Sequence, residues 1–127
     1  MTFTPVDVPQ LIKDCLKNDL PPDFPELSVV LEFPADWTLG SDPVLVIADD
    51  GGTVWKASTT TAIRMTSWTS GRDRTYVHAA VARLLAGKIP GVAAIVPGSV
   101  SGVLESRDES TGGDLASVIV RARARTQ

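Results

Sequence analysis

The sequence predicts one small α+β domain, in which two helices pack on a mixed or antiparallel sheet of about four to six strands. Its 127 residues suit a single domain with one modest core. The segment 72–88 has the three-four apolar spacing of an amphipathic helix, and the segments 59–68 and 115–125 alternate as strands do. We therefore treat residues 1–127 as one domain.

The first predicted helix begins at about Val8 and ends at a pair of prolines. Asp7 is suited to cap it, with Gln10 three residues on and Pro9 in the first turn. The apolar stripe that should pack on the core consists of Val8, Leu11, Ile12, Cys15 and Leu16.

One strand and a hairpin are predicted next. The proline-bounded run 27–33 is rich in β-branched and aromatic residues and indicates a strand. After the connection 35–42, the apolar run 44–48 is followed by Asp-Asp-Gly-Gly at 49–52, which predicts a turn leading into a returning strand at 53–57. A metal site at the two aspartates is the alternative; turn chemistry is preferred because no further ligands follow at calcium-loop spacing.

The central part of the chain predicts a long strand that leads into the second helix. In 59–68, Ile63, Met65 and Ser67 share one face, and Ala62, Arg64, Thr66 and Trp68 share the other. The helix 72–88 follows, with either Ser70 or Asp73 as its cap and Gly87 near its end. Its apolar stripe is Tyr76, Val77, Ala80, Val81, Leu84 and Leu85.

The last third predicts three strands. The segments 92–96 and 102–106 are strands, and the polar loop RDESTGGD (107–114), which we expect to be mobile, leads to the last strand, 115–125. One face of that strand should be core: Ala116, Val118, Val120, Ala122 and Ala124. The other is basic and carries Ser117, Ile119, Arg121, Arg123 and Arg125. Glu105, on the expected partner strand, is placed to neutralise part of this arginine row.

Charge is distributed unevenly along the chain. The net charge is −3, but residues 1–50 contain ten acids against two lysines, giving −8, and residues 51–127 contain ten bases against five acids, giving +5. Such polarity suits nucleic acid on the basic side or head-to-tail packing of identical subunits. The alternative is that the two halves interleave in the fold and the asymmetry cancels.

The sequence contains no recognisable catalytic, cofactor or metal motif. His78 is a lone residue in mid-helix, expected to be solvated, and GSVSG at 98–102 lacks the central serine of a nucleophile elbow, because Val100 stands there. No dinucleotide or phosphate-binding glycine loop occurs. The single cysteine, Cys15, cannot form an internal disulfide and is expected as a buried thiol. An enzyme of unrecognised type is one possible class of function, beside an assembly protein and a nucleic-acid-binding module.

Aromatic and basic residues leave a binding role open. Trp37, Trp55 and Trp68 do not interleave with the arginine row, so core or interface packing is favoured over base stacking. The row itself fits ion pairing within or between subunits, a solvated edge, or nucleic acid. No secretory signal or membrane-spanning run is evident, which predicts a soluble protein kept in a cytoplasm.

The order of predicted elements resembles that of the tail terminator proteins of long-tailed phages, particularly those of actinobacteria. The resemblance covers residues 11–125 and is carried by TTTAIRMTSWTSGRDRTYVHAAVARLLAG, by SGVLESRDESTGGD and by the closing VIVRARAR. In the first of these, a strand ends in an aromatic residue, and a short polar turn and an alanine-rich helix follow. Small neck and head-completion proteins share this size and much of this order.

The resemblance implies a structural virion protein, not an enzyme, that needs no cofactor. Such a protein forms a hexameric ring at the head-tail joint, assembled in the host cytoplasm, that caps the tube of major tail protein and ends its polymerisation. It meets the head connector or stopper protein, and genomic DNA passes through its lumen without sequence-specific binding. A nucleic-acid-binding module is the rival from another class. The expected subunit and partner interface consists of Arg107, Asp108, Glu109, Asp114, Arg121, Arg123 and Arg125.

Overall fold

The structure is a computed structural model and describes residues 7–20, 22–54, 59–71, 73–96 and 98–124. Two helices and six strands lie within these residues, and the predicted α+β class is confirmed. In chain order they are α1 (Val8–Asp19), β1 (Ser28–Val30), β2 (Val44–Val54), β3 (Thr59–Thr69), α2 (Thr75–Leu85), β4 (Val92–Ile95), β5 (Leu104–Arg107) and β6 (Asp114–Ala124).

The strands form one mixed sheet in the order β1-β2-β3-β6-β4, with β5 also paired to β6. β1 runs parallel to β2, and every other pairing is antiparallel. β3 and β4 are both antiparallel to β6, so they run parallel to each other and α2 is the crossover between them. The first half of the chain therefore supplies one edge of the sheet and the second half supplies the other.

Both helices pack on the same face of the sheet. Ile63 and Met65 of β3 lie directly opposite Val120 and Val118 of β6, and all four side chains are buried. The helices close over them with Ile12 and Leu16 from α1 and with Val77, Ala80 and Leu84 from α2. Each fully buried side chain of this size contributes about 1.5–3 kcal/mol. The predicted helical stripes and strand alternation are confirmed in this core, although Leu85 is exposed.

The caps set the helix bounds. The Asp7 side chain accepts a hydrogen bond from the Gln10 backbone N–H at 3.2 Å, as predicted. α2 is shorter than predicted and begins at Thr75. Its N-cap residue is Arg74, which makes no side-chain capping bond, so the predicted cap at Ser70 or Asp73 is wrong, although the Asp73 carboxylate accepts from the Thr75 backbone N–H at 2.8 Å. Arg72 lies outside the described residues. α2 ends at Leu85, and Gly87 follows with a φ of +81°, which glycine adopts without strain.

The predicted hairpin within the segment 44–57 is wrong. β2 continues to Val54 and pairs with β3 along its length. From Asp49 to Gly52, β2 advances three residues while β3 advances two, so the expected turn is a β-bulge. Glycines tolerate the irregular backbone of a bulge, and the strand can therefore continue through them. The hairpin instead joins β2 to β3, and residues 55–58 between them lie outside the described residues.

Further strand boundaries differ from the prediction. β4 is Val92–Ile95 where 92–96 is expected, and β5 is Leu104–Arg107 where 102–106 is expected. The strand expected at 27–33 is confirmed only over Ser28–Val30. The last strand begins one residue early, at Asp114, and is described as far as Ala124. No helix among the described residues has both the length and the apolar character needed to cross a membrane.

Candidate functional site

The predicted interface residues lie in two separate places. Arg107 and Asp114 form the last register pair of the β5-β6 hairpin, whereas Arg121 and Arg123 lie near the other end of β6. Arg121 lies seven positions after Asp114 along the strand, which is about 23 Å at roughly 3.3 Å per residue. Arg125 lies outside the described residues. The structure therefore does not bring the predicted residues together on one surface.

The hairpin loop is organised around the carboxylate of Asp108. Its Oδ2 accepts hydrogen bonds from the Ser110 hydroxyl at 2.8 Å and from the Thr111 hydroxyl and backbone N–H at 2.7 and 2.9 Å. These bonds, that from the Thr111 hydroxyl first, hold the pKa of Asp108 below its ordinary value. Asp108 is thus engaged within the loop, and Glu109 is the acid that the loop exposes.

The same loop rests on an aromatic cluster, which we define as Phe33, Trp37 and Trp68. Phe33 stacks on Trp68 with ring centroids 3.8 Å apart, and Trp37 meets Trp68 edge-on at 5.9 Å. The Trp37 indole N–H donates to the Asp42 carbonyl at 3.0 Å. Packing is therefore confirmed for these two tryptophans, and Trp55 lies outside the described residues. The cluster lies on the sheet face opposite the helices, since Trp68 alternates with buried Ser67.

The prediction that Glu105 neutralises the arginine row is wrong. Glu105 accepts from the Arg74 Nε at 2.6 Å, and its register partner on β6 is Ala116. Ala116 faces the helices, so its register partner Glu105 faces them as well. Side chains alternate along a strand, and Arg121 is an odd number of positions from Ala116, so Arg121 faces the opposite side of the sheet. Arg121 lies five positions after Ala116, which adds about 16 Å along the strand.

Arg121 and Arg123, which we call the basic row, are exposed. Their neighbours across the sheet are small: Ala62 and Thr60 on β3, and Ala94 on β4. Within the part of the chain that the structure describes, neither guanidinium has a carboxylate at ion-pair distance. The positive charge of the row is therefore not neutralised inside the described part of the subunit.

The opposite edge of the sheet is acidic. Residues 18–55 contain eight acids and no lysine or arginine, and they form β1, β2 and the segments around them. The alternative in which the two halves interleave is therefore wrong for the sheet. We call the exposed acids that flank β1 the acidic edge: Asp23, Glu26, Glu32, Asp36 and Asp42.

Two cavities lie at the start of α2 and share Asp73. The larger, about 450 Å³, lies against the β5-β6 hairpin, and its charges pair with their neighbours: Glu105 with Arg74, and Asp114 with Arg107 at 3.7 Å. The smaller, about 340 Å³, is lined by Tyr76.

Tyr76 is the residue at these cavities whose ionisation shifts most. Its hydroxyl donates to Glu26 at 2.8 Å, and burial, followed by this bond and charge, raises the pKa of Tyr76 to about 12. The phenol is therefore a fixed hydrogen-bond donor at neutral pH. Among the described residues, no group of three or more His, Cys, Asp or Glu side chains is placed to hold a metal ion.

The GSVSG segment has a structural role that its sequence does not indicate. The Ser99 hydroxyl accepts from the Arg121 backbone N–H at 3.0 Å, and the Ser101 hydroxyl accepts from the Ile119 backbone N–H at 2.9 Å. Side chains thus continue the edge of the sheet between β4 and β5, where the backbone is irregular. His78 is exposed on α2, as predicted, and Cys15 is buried, as predicted.

No protein-family model matches this chain, and no curated protein matches it. The described surface thus carries an acidic edge and a basic row that lie apart on one sheet.

Proposed function

We propose that this chain is a structural subunit of the head-tail joint of a long-tailed phage, where it forms a ring that caps the tail tube. The observation that carries the proposal is the separation of the acidic edge from the basic row across one sheet. Two complementary surfaces that do not overlap favour a heterologous, head-to-tail contact, and such contacts close into rings when the rotation allows.

The two surfaces are too far apart to neutralise each other within a subunit. β1 and β6 are three strand spacings apart, about 14 Å. β1 lies level with residues 115–117 of β6, so Arg121 is a further four to six residues along, roughly 16 Å. The separation is therefore roughly 20 Å, beyond the reach of an arginine side chain. A neighbouring copy can supply the missing partner for each surface.

The order of elements is compatible with the proposal. β3 leads through a short polar turn into α2, and β5 and β6 follow later in the chain. These are the parts of the predicted order that carry the resemblance to tail terminator proteins, whereas the predicted separate hairpin before the long strand is replaced by the pairing of β2 with β3. In this role the major tail tube protein and the head connector bind the two faces of the ring, and genomic DNA passes through its lumen. The chain then resides in the virion at the head-tail joint.

Deletion of the gene from a phage that encodes this chain tests the proposal. We expect overlong tails and separate, DNA-filled heads, because nothing would end tube polymerisation. Tails of normal length beside unattached heads would indicate a neighbouring neck or head-completion protein instead. Replacing Arg121, Arg123 and Arg125 together by serine should reduce oligomer mass and tail attachment, and unchanged values for both would contradict the assembly role of the row.

A nucleic-acid-binding module is the second candidate, favoured by the absence of carboxylate partners around the described basic row. It predicts binding to duplex DNA that weakens steeply with salt, by a slope of about −0.9 in log affinity against log salt for each phosphate neutralised. The anisotropy of a labelled duplex measures this slope. No binding at low salt would exclude the candidate.

A further inference from the structure

We infer that the basic row of one copy docks against the acidic edge of a second copy, so that these two surfaces form the contact between neighbouring subunits. The inference rests on the proposed function and assigns the residues of its subunit interface. The contact would be one-directional, with each copy presenting its row to one neighbour and its acidic edge to the other.

The basic row is open to a partner because of its position on the sheet. Arg121 alternates with the buried Val120 and Ala122, so the row lies on the face that neither helix covers. The side chains opposite it, such as Ala62 and Thr60, are too short to shield a guanidinium. An approaching carboxylate can therefore contact either arginine without displacing the chain's own side chains.

Within the described residues, the acidic edge lacks basic partners. Glu26 accepts a hydrogen bond from Tyr76, but a phenol brings no positive charge. Asp23, Glu32, Asp36 and Asp42 are exposed, and within the described ranges none of them has a lysine or arginine at ion-pair distance.

Charge complementarity is what selects a second copy as the occupant of the basic row. A second copy presents the negative charge that the basic row requires, because its acidic edge flanks β1 at the far side of the same sheet. Rim charges of this kind set the orientation and the salt dependence of association. The contact should therefore weaken as ionic strength rises.

A charge-swap experiment tests this assignment. The first variant, R121E/R123E, makes the row acidic. The second, D23K/E32K/D36K/D42K, keeps Glu26, which accepts from Tyr76, and makes the acidic edge basic. Each variant alone brings like charges together and should stay monomeric, with at least a tenfold loss of association. An equimolar mixture should assemble again, since the acidic row of one variant then meets the basic edge of the other. Native mass spectrometry identifies such assemblies by the strict alternation of the two variants.

The control variant is K17E/K88E, which changes the net charge as much as the first variant does. Both lysines are exposed and lie outside the two surfaces, so this variant should assemble like the wild type. Rings formed by either variant alone, or no assembly in the mixture, would overturn the inference while leaving the proposed ring intact. Assembly of the wild type that forms only when duplex DNA is added would also overturn it. If the wild type forms no ring, with or without tail tubes, the proposed function fails as well.

Discussion

Replacing Gly113 by alanine should destabilise the fold through the aromatic cluster. A Cβ at this position would lie 2.8 and 2.9 Å from two ring carbons of Trp37, closer than carbon atoms approach in folded proteins. Trp37 is only 5% exposed, and its indole N–H is bonded to the Asp42 carbonyl, so the ring cannot swing away freely. The added methyl group must therefore shift the ring or the hairpin loop.

Overpacking of this kind costs about 1–3 kcal/mol. For a domain of this size, each kcal/mol lowers Tm by about 4 °C, so Gly113→Ala should lose roughly 4–12 °C in thermal unfolding followed by circular dichroism. Tryptophan fluorescence should change as well, because Trp37 and Trp68 are in contact.

Gly102→Ala is the matched control for this prediction. A Cβ there meets nothing within 4 Å, and its backbone is not in the left-handed region, so its Tm should stay within about 1–2 °C of the wild type. Equal Tm values for the two variants would refute the claim that the loop is seated on Trp37.

Three further predictions concern the core, the buried phenol and the sheet edge. Leu84→Asp should abolish cooperative unfolding, because it places an unpaired charge at a position 1% exposed; Arg123→Glu should keep the same transition, and its loss would contradict the placement of the row on the surface. Stability should fall as pH rises from 10 to 12, since the fold raises the pKa of Tyr76 to about 12 from about 10 in an unfolded chain, and so favours the protonated phenol. Tyr76 is the single tyrosine, so its absorbance change reports this titration, and Tyr76→Phe should remove this part of the pH dependence. Ser101→Ala should speed amide exchange at Ile119, whose N–H donates to the serine hydroxyl; an unchanged rate would show that the bond does not protect it.

Local pattern was sufficient to predict the helices and the long strands. The Asp7 cap, the apolar stripe of α1 and the alternation around Met65 depend on residues a few positions apart, so the sequence displays them directly. The run Asp-Asp-Gly-Gly at 49–52 predicts a turn where the structure has a bulge, because aspartate and glycine are common in both structures. The pairing of β2 with β3 decides between a turn and a bulge, and this pairing cannot be predicted from residues a few positions apart.

The candidate site was predictable in composition but not in arrangement. The basic row follows from the alternation of β6, whereas the pairing of Glu105 with Arg74 depends on strand register and on where α2 begins. The expected contact of Glu105 with the basic row does not form, because Glu105 lies on the face of the sheet that the helices cover and the row lies on the opposite face. That the acidic and basic halves stay apart follows from the order β1-β2-β3-β6-β4, which is a property of the whole fold.

In the proposed ring, complementary charged surfaces join copies of this chain head to tail. Native mass measurement of the wild-type protein across a salt series, with negative-stain images of the same samples, tests this most directly. We expect ring-shaped particles of a single closed stoichiometry at low salt, which dissociate as the salt rises. A monomer at every salt and protein concentration, with isolated tail tubes added or not, would contradict the claim.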